Sequence, residues 1–237
     1  MRVLALDAAT EACSVALLDG ERCIERFHES GKSHAQHILG MVDSVLAEAQ
    51  ISLSMLDGLA ASVGPGSFTG VRISVSVGQG LAFGAGLAVV PVMTLEALAL
   101  REFEQGASRA LCCLDARMGE VYWGCFAADR VEGVRSMGPA GVGAPELVVL
   151  PQGDPLPACD YRGIGRGFAS YPQLLAATGV QITKGASEAL PRAREMVRLG
   201  ALRLAAGQGI DPAELLPRYL REKVALTEAE RRQPKPR

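Results

Sequence analysis

The stretch "ASVGPGSFTGVRISVSVGQGLAFGAG", residues 61–86, sets the path of the chain. An apolar run enters a glycine-rich elbow, and a long segment of small and apolar residues leaves it. The elbow consists of Gly64, Pro65, Gly66, Ser67, Phe68, Thr69 and Gly70. Its first two glycines permit positive φ, its proline stiffens the turn, and either hydroxyl side chain can cap a helix. The elbow therefore predicts a connection from a strand to a helix.

The elbow matches none of the three loop motifs that it superficially resembles. A Walker A loop would need a lysine and a hydroxyl residue where Val71 and Arg72 follow Gly70. A Rossmann GxGxxG and a hydrolase GxSxG would both need glycine at the position of Thr69. Two interpretations remain open from these residues, a tightly packed connection and a helix start that holds an anion through backbone N–H groups.

The segment after the elbow carries two periodicities. Apolar residues at 71, 73, 75 and 77 alternate with polar ones, as in a strand. Ser74, Gly78 and Ala82 instead recur every fourth residue, as on a helix that lets another helix approach closely. The pattern favours a helix without excluding a strand.

Composition and charge restrict the class of protein. The chain has 237 residues, of which 49% are hydrophobic, so it can bury one large core or two modest ones. Its net charge of -2 argues against a protein that binds nucleic acid without a partner, although a local basic patch is compatible with this charge. There is no long apolar run, no secretory signal pattern and no CxxC among the six cysteines, so we expect a reduced cytoplasmic protein without a membrane span.

A sequence pattern that occurs twice in the chain predicts two lobes. Residues 6–27 read as two strands around Asp19-Gly20, which is a hairpin signal. The motif Leu6-Asp7-Ala8 recurs 108 residues later as Leu114-Asp115-Ala116, and a similar alternating strand follows each copy. Duplicated strand pairs followed by helices and strands indicate two α/β lobes.

The remaining elements are predicted from caps, periodicity and breakers. We expect helices at 33–50, 94–105, 166–178 and 187–207, and strands at 57–63, 88–92 and 109–115. A capping box, Ser33-His34-Ala35-Gln36, is expected to open the first helix. The predicted division is 1–106 for the N-terminal lobe and 107–212 for the C-terminal lobe, with 213–228 packing near the first lobe and 229–237 disordered.

Several side chains could carry chemistry, and each has a structural alternative. Asp7 and Asp115 end strands and could hold magnesium or act as bases, or could cap their turns through Asx bonds. His34 and His37 share a helix face, but the local sequence offers no third metal ligand, so we expect no metal site. A basic face on the 187–207 helix could contact nucleic acid or could simply be solvated. Its members are Arg192, Arg194, Arg198 and Arg203.

Several motifs in order resemble the TsaB family, also called YeaZ. They are "LALDAATEACSVAL", "GPGSFTGVR" followed by "GQGLAFG", "LDARMGEVYW" and "PRYLREKVA" (217–225), and the resemblance runs from Met1 to about Ala225. That family is similar to the TsaD family of glycoprotease-like proteins. The resemblance implies an α/β, two-lobed actin-like and sugar-kinase-like (ribonuclease H-like) fold, each lobe a mixed sheet with flanking helices. It also makes residues 69–84 a helix.

The resemblance implies a function that the motifs alone do not show. It implies a non-catalytic partner of a TsaD-type transferase, required for threonylcarbamoyladenosine formation beside the anticodon of tRNAs that read codons beginning with adenine. A TsaE-like ATPase joins the complex, and ATP and a divalent metal belong to the partner proteins rather than to this chain. The metal-binding HxxxH of TsaD-like proteins is replaced here by "SHAQH" (33–37), so no catalytic residue is transferred. Contact with tRNA is expected only through the complex.

The resemblance also implies a docking surface. The elbow would aim helix 69–84 so that it lies beside helix 33–50, and the pair would dock on the matching helices of the TsaD-like partner, or of a second copy when the chain is alone. The predicted interface residues are His34, His37, Ile38, Met41, Val45, Val71, Ser74, Val75, Gly78 and Ala82. A single buried stripe on each helix is the structural alternative. The rival functions are a metal- or ATP-dependent enzyme of the glycoprotease or kinase-like fold, and direct tRNA binding.

Overall fold

The fold is α/β, with two mixed sheets and flanking helices. A computed structural model describes residues 1–29 and 33–221. The strands are β1 (Arg2–Asp7), β2 (Ala12–Asp19), β3 (Arg22–Glu29), β4 (Gly58–Ser62), β5 (Val89–Val92), β6 (Arg109–Arg117), β7 (Glu120–Asp129), β8 (Gly133–Ser136), β9 (Gly141–Gly143) and β10 (Tyr161–Ile164). The helices are α1 (His34–Ala49), α2 (Phe68–Ala85), α3 (Thr94–Phe103), α4 (Gly167–Ser170), α5 (Gln173–Thr178) and α6 (Ala193–Ala205).

Each sheet combines an antiparallel half with a parallel half. The first has the order β3-β2-β1-β4-β5, in which β1, β4 and β5 are parallel. The second has the order β10-β6-β7-β8, with β10 parallel to β6 and β9 paired to β7. The predicted fold class is therefore confirmed. Within the described residues, no helix is both long and apolar enough to cross a membrane.

The repeated Leu-Asp-Ala motif begins two similar strand pairs. In the first pair Asp7 lies opposite Ser14, and in the second Asp115 lies opposite Val121. The second pair has a register shift just after its aspartate, where Arg117 and Met118 take positive φ. The second chain reversal is one residue tighter than the first, which the sequence echo did not show.

Two predicted helices are shorter than expected because of prolines. Pro172 divides the predicted helix 166–178 into α4 and α5, since proline cannot continue a helix from the preceding residue. Pro191 delays the predicted helix 187–207, so that α6 begins at Ala193. Both prolines are visible in the sequence, but the prediction gave more weight to the apolar periodicity around them.

The capping box predicted at the start of α1 is wrong. Ser33 adopts a left-handed conformation (φ 62°), and its side chain makes no capping hydrogen bond to the helix. Its backbone carbonyl accepts a hydrogen bond from Gln36 N instead, at 2.9 Å.

Two helical layers sandwich the first sheet. α1 and α2 cover one face, in a core that contains Leu4, Leu6 and Leu215. α6 covers the other face and contacts α3, which packs on β6 and β7 of the second sheet. The core around α3 and α6 includes residues from both sheets, so helices rather than a linker join the two halves. The lobe boundary at 106 stays a prediction, and residues 222–237, including the expected tail, lie outside the described residues.

The elbow presses directly on the turn between β1 and β2. A Cβ on Gly66 would lie 2.2 Å from the carbonyl oxygen of Ala9, and one on Gly70 would lie 2.0 Å from that of Ala8. Neither distance is sterically possible. These two glycines are therefore required by close backbone approach, while Gly64, with φ of 102°, is required by conformation.

We expect Gly70→Ala to destabilise the protein by about 3 kcal/mol, because the added methyl group meets backbone that cannot move aside. Gly80→Ala in the same helix is the matched control. A Cβ there meets no atom within 4 Å, so the substitution should stabilise the protein by up to about 1 kcal/mol through helix propensity. Urea unfolding of both variants measures the contrast. Equal effects would show that the elbow does not press on the turn.

Candidate functional site: the outer face of two helices

Ser67 fixes the start of α2. Its Oγ accepts a hydrogen bond from Gly70 N at 3.1 Å, which caps the helix. Its backbone N donates to the carbonyl oxygen of Ala9 at 2.7 Å. Ser67 thus caps the start of the helix and attaches the elbow to the β1–β2 turn.

Two further hydrogen bonds hold the elbow and α2 in place. Ala8 N donates to Ser74 Oγ at 2.7 Å, one turn into the helix. Thr94 Oγ1, at the start of α3, donates to the carbonyl oxygen of Pro65 at 2.5 Å. All four side chains or backbone groups are buried. The orientation of α2 is therefore set by polar contacts from both of its neighbours.

Most of the predicted interface residues face the protein's own core. The buried members are His34, Ile38, Val45, Val71, Ser74, Val75, Gly78 and Ala82. A Cβ on Gly78 would lie 2.9 Å from the Cβ of Ala61 in β4. Only His37 is exposed and Met41 half-buried. These buried side chains cannot contact a partner in the folded chain, so the stripe on each helix is a core stripe; docking by the helix pair stays a prediction.

The side chains that α1 and α2 present to solvent are different. Phe83 is 80% exposed and Leu39 is 51% exposed. Gly40, Gly80 and Gly84 lie beside open space, because a Cβ added to any of them meets no atom within 4 Å. We define the outer face as a set on these two contacting helices. Its members are Leu39, Gly40, Ser76, Gly80, Phe83 and Gly84.

Helical phase could have identified this face from the sequence. The most continuous apolar stripe of α2 packs on the first sheet, as the strongest apolar stripe of a surface helix normally does. The residues left over on the opposite side then include Phe83, and on α1 they include Leu39. The interface residues predicted from the sequence instead include the continuous stripe of α2, which the structure buries.

The two histidines do not converge on one point. His34 is buried and its Nε2 donates to the carbonyl oxygen of Thr10 at 2.9 Å. His37 is exposed, its Nδ1 donates to the carbonyl oxygen of Ser33 at 2.9 Å, and its ring lies 5.0 Å from that of His28. In the described part of the chain, no three side chains of the His, Cys, Asp or Glu type come together as metal ligands.

Both strand-ending aspartates cap their turns. Asp7 Oδ1 accepts from Ala9 N at 2.9 Å, and Asp115 Oδ1 accepts from Arg117 N at 2.7 Å. Of the alternatives given for Asp7 and Asp115, the structure contains the Asx hydrogen bonds that cap the two turns. Asp7 is completely buried, and this burial raises its pKa to about 6, although the neighbouring Ser62 and the Ala9 hydrogen bond act in the opposite direction.

The arginines of α6 are largely engaged by carboxylates of the same chain. Arg192 pairs with Glu25, Arg198 with Glu104, and Arg203 with Glu96. For Arg194 it is the backbone N–H, and not the guanidinium, that donates to Glu25 Oε1. Such pairing reduces the positive charge that this helix could offer to a phosphate backbone, so the structure lends no support to α6 as a tRNA contact.

A cleft of about 450 Å³ separates the two sheets at the end where the elbow lies. The β1–β2 turn, the β6–β7 turn, the elbow and residues 218–221 line it. Arg117 crosses it, with Nη2 2.5 Å from Glu11 Oε1 and Nη1 3.2 Å from Asp115 Oδ2. Arg166 makes a second ion pair across the sheets, with Glu29.

We expect Asp7→Asn to change the pH dependence of stability. The pKa of Asp7 rises from 3.8 to about 6 on folding, so its stabilising contribution is complete below about pH 4 and is lost as pH rises through 6. The Asn variant can still accept the Ala9 hydrogen bond but does not ionise. Its stability relative to wild type should therefore improve by about 3 kcal/mol between pH 4 and pH 8. Urea unfolding at both pH values measures this, and a constant difference would contradict a desolvated carboxylate.

Comparisons with known proteins agree with this architecture. A family model described as "TsaD: tRNA N6-adenosine threonylcarbamoyltransferase" matches residues 28–228. The tRNA threonylcarbamoyladenosine biosynthesis protein TsaB of Escherichia coli is 37% identical over 226 residues, covering 95% of this chain and 96% of its own. TsaB of Haemophilus influenzae is 36% identical over 232 residues, covering 94% and 95%.

Solved structures give the same result. YeaZ from Pseudomonas aeruginosa superposes with a TM-score of 0.81 at 38% identity, over 92% of this chain and all of that one. A second Pseudomonas aeruginosa structure, described as similar to the peptidase YeaZ, has a TM-score of 0.83 at 39% identity, over 93% and 99%. The chain therefore belongs to the TsaB (YeaZ) family of tRNA threonylcarbamoyladenosine biosynthesis proteins, within the wider group of TsaD-like folds.

Proposed function

We propose that the protein is the non-catalytic partner of a TsaD-like transferase and is required for threonylcarbamoyladenosine formation in tRNA. Family membership over about 95% of the chain supports a role in this modification. The two candidate acidic residues are engaged as turn caps, and the two candidate histidines are directed to different carbonyl groups. These observations favour a contribution through binding rather than through chemistry on this chain.

The observation that carries the proposal is the outer face of α1 and α2. Phe83 is 80% exposed and Leu39 is 51% exposed. The glycines of the outer face adjoin open space, since a Cβ added to any of them would meet no atom within 4 Å. Contiguous exposed apolar surface marks interaction sites, whereas single exposed apolar side chains are common, so the proposal requires one partner to cover Phe83 and Leu39 together. Small residues let a second backbone approach closely, and the larger side chains on either side can then be covered. The partner that fits is a helix pair of the TsaD-like transferase.

The proposal divides the work within a complex. The transferase and a TsaE-like ATPase would hold the metal and ATP, while this chain would supply no cofactor of its own. The tRNA, one that reads codons beginning with adenine, would be engaged through the assembled complex. The protein would act in the cytoplasm, where its tRNA substrate is found.

The same outer face would serve a homodimer when the transferase is absent. A surface that is used for both associations cannot support both at once. Added transferase should therefore convert a homodimer into a heterodimer instead of forming a larger assembly.

Gly80→Trp should abolish function without unfolding the protein. The new ring extends into open space in the isolated chain but would occupy the position of a docked helix. We expect at least tenfold weaker binding to the TsaD-like partner and a similar loss of threonylcarbamoyl transfer to tRNA in a reconstituted reaction. Gly78→Trp is unsuitable for this test, because position 78 is buried against β4.

Ala176→Trp is the matched control for Gly80→Trp. Ala176 is exposed on α5, which is not part of the outer face. A tryptophan side chain at this position should therefore leave threonylcarbamoyl transfer unchanged. If Gly80→Trp binds and activates like wild type, the docking assignment fails. If transfer proceeds equally well when the protein is omitted, the partner role itself fails, and an independent metal- or ATP-dependent activity becomes the alternative to test.

A further inference from the structure

Residues 215–221 cross from the first sheet to the second. At the near end, Leu215 is completely buried with α1 and α2, and its carbonyl oxygen accepts from Gln79 Nε2 at 3.0 Å. Arg218 N then donates to the carbonyl oxygen of Val63 at 2.8 Å, just beyond the end of β4. This end of the segment is anchored to the first sheet and its helices.

The far end is attached to the second sheet. Arg221 Nη2 donates to the carbonyl oxygen of Ala116 at 3.0 Å and also pairs with Glu120, both in the β6–β7 strand pair. Its guanidinium lies 5.9 Å from the centre of the Tyr122 ring. Residues 218–221 form one wall of the cleft between the sheets. A segment that is fixed at both sides of a cleft limits how far the cleft can open.

The middle of the segment is held by ring contacts. Tyr219 is 50% exposed and stacks on Phe68, with ring centres 6.1 Å apart and planes inclined at 24°. The guanidinium of Arg72 lies 3.3 Å from the centre of Phe68 and 5.7 Å from that of Tyr219. Stacked aromatic and cation–π contacts of this exposed type are individually weak. Because Tyr219 is half exposed, solvent or another protein can reach its ring contacts.

Phe68 and Arg72 also belong to the solvent-exposed side of α2. Both are exposed, and at helical spacing they continue along the same side to Ser76 and Phe83 of the outer face. A partner that covers this side of α2 would contact the two side chains on which Tyr219 rests. Docking and the ring contacts of Tyr219 therefore compete for the same groups.

We propose that residues 215–221 act as a clasp across the cleft and that docking of a partner on α2 releases it at Tyr219. The clasp itself is independent of the proposed function, whereas its release by a partner rests on it. The anchored ends at Leu215 and Arg221 would keep the segment attached while its middle moves away from α2. Docking on one surface would in this way change the width of the cleft on another.

Hydrogen exchange on the isolated protein, diluted until it is monomeric so that its outer face is uncovered, tests the clasp. Tyr219→Ala should make the amides of residues 216–221, and of the two turns that line the cleft, exchange about five- to tenfold faster. Leu175→Ala is the control, because it removes an exposed apolar side chain from α5, outside the outer face. Arg221→Gln, which loosens the far end, should reproduce the effect of Tyr219→Ala. Unchanged exchange in both clasp variants would overturn the proposal.

The same measurement with the TsaD-like partner bound tests release. We expect slower exchange in residues 68–86 together with faster exchange in residues 216–221. Slower exchange in both regions would show that docking tightens the segment and would overturn release, while leaving the docking surface intact. No change in residues 68–86 would instead remove the docking surface on which release depends. The result for the isolated protein separates these cases, since it does not involve the partner.

Discussion

The close contact between the elbow and the β1–β2 turn is the constraint on which the rest of the structure depends. Gly66 and Gly70 bring the start of α2 against the carbonyl groups of Ala8 and Ala9, where no side chain would fit. Hydrogen bonds from Ala8 N to Ser74 Oγ and from Thr94 Oγ1 to the Pro65 carbonyl then fix the helix from two directions. A helix held in this way presents one defined face to the sheet and one to solvent.

The fixed orientation of α2 gives its two faces different tasks. The inner face, with Val71, Val75 and Gly78, fills the core over β1 and β4. The outer face, with Gly80 and Phe83, is exposed to solvent and is where we propose that the partner docks. In between, the exposed side that carries Phe68 and Arg72 meets the segment that closes the cleft. One helix thereby touches the core, the proposed partner and the proposed clasp, so its placement affects all three.

The sequence predicted the fold and the two helices that carry the proposed surface, but most of the interface residues that it named are buried in the protein's own core. The repeated Leu-Asp-Ala motif and the family motifs were sufficient for the two sheets. The stripe at 71–82 was predicted to meet a partner, whereas it covers one face of the first sheet, whose central strands β1 and β4 are buried. An amphipathic pattern shows that a helix has an apolar side. It does not show whether that side covers the chain's own sheet or a partner. The path of 215–221 depends on contacts more than a hundred residues apart, which no local pattern encodes.

The most direct test of this account places a photo-crosslinking amino acid at position 83 in the outer face, and in a parallel sample at the exposed position 175 in α5. Each protein is irradiated with the TsaD-like partner, and the crosslinked peptides are identified by mass spectrometry. The account predicts efficient crosslinks from position 83 to a helix pair of the partner and none from position 175. Crosslinks from position 175 alone would contradict it, because the partner would then dock away from the face that the elbow positions.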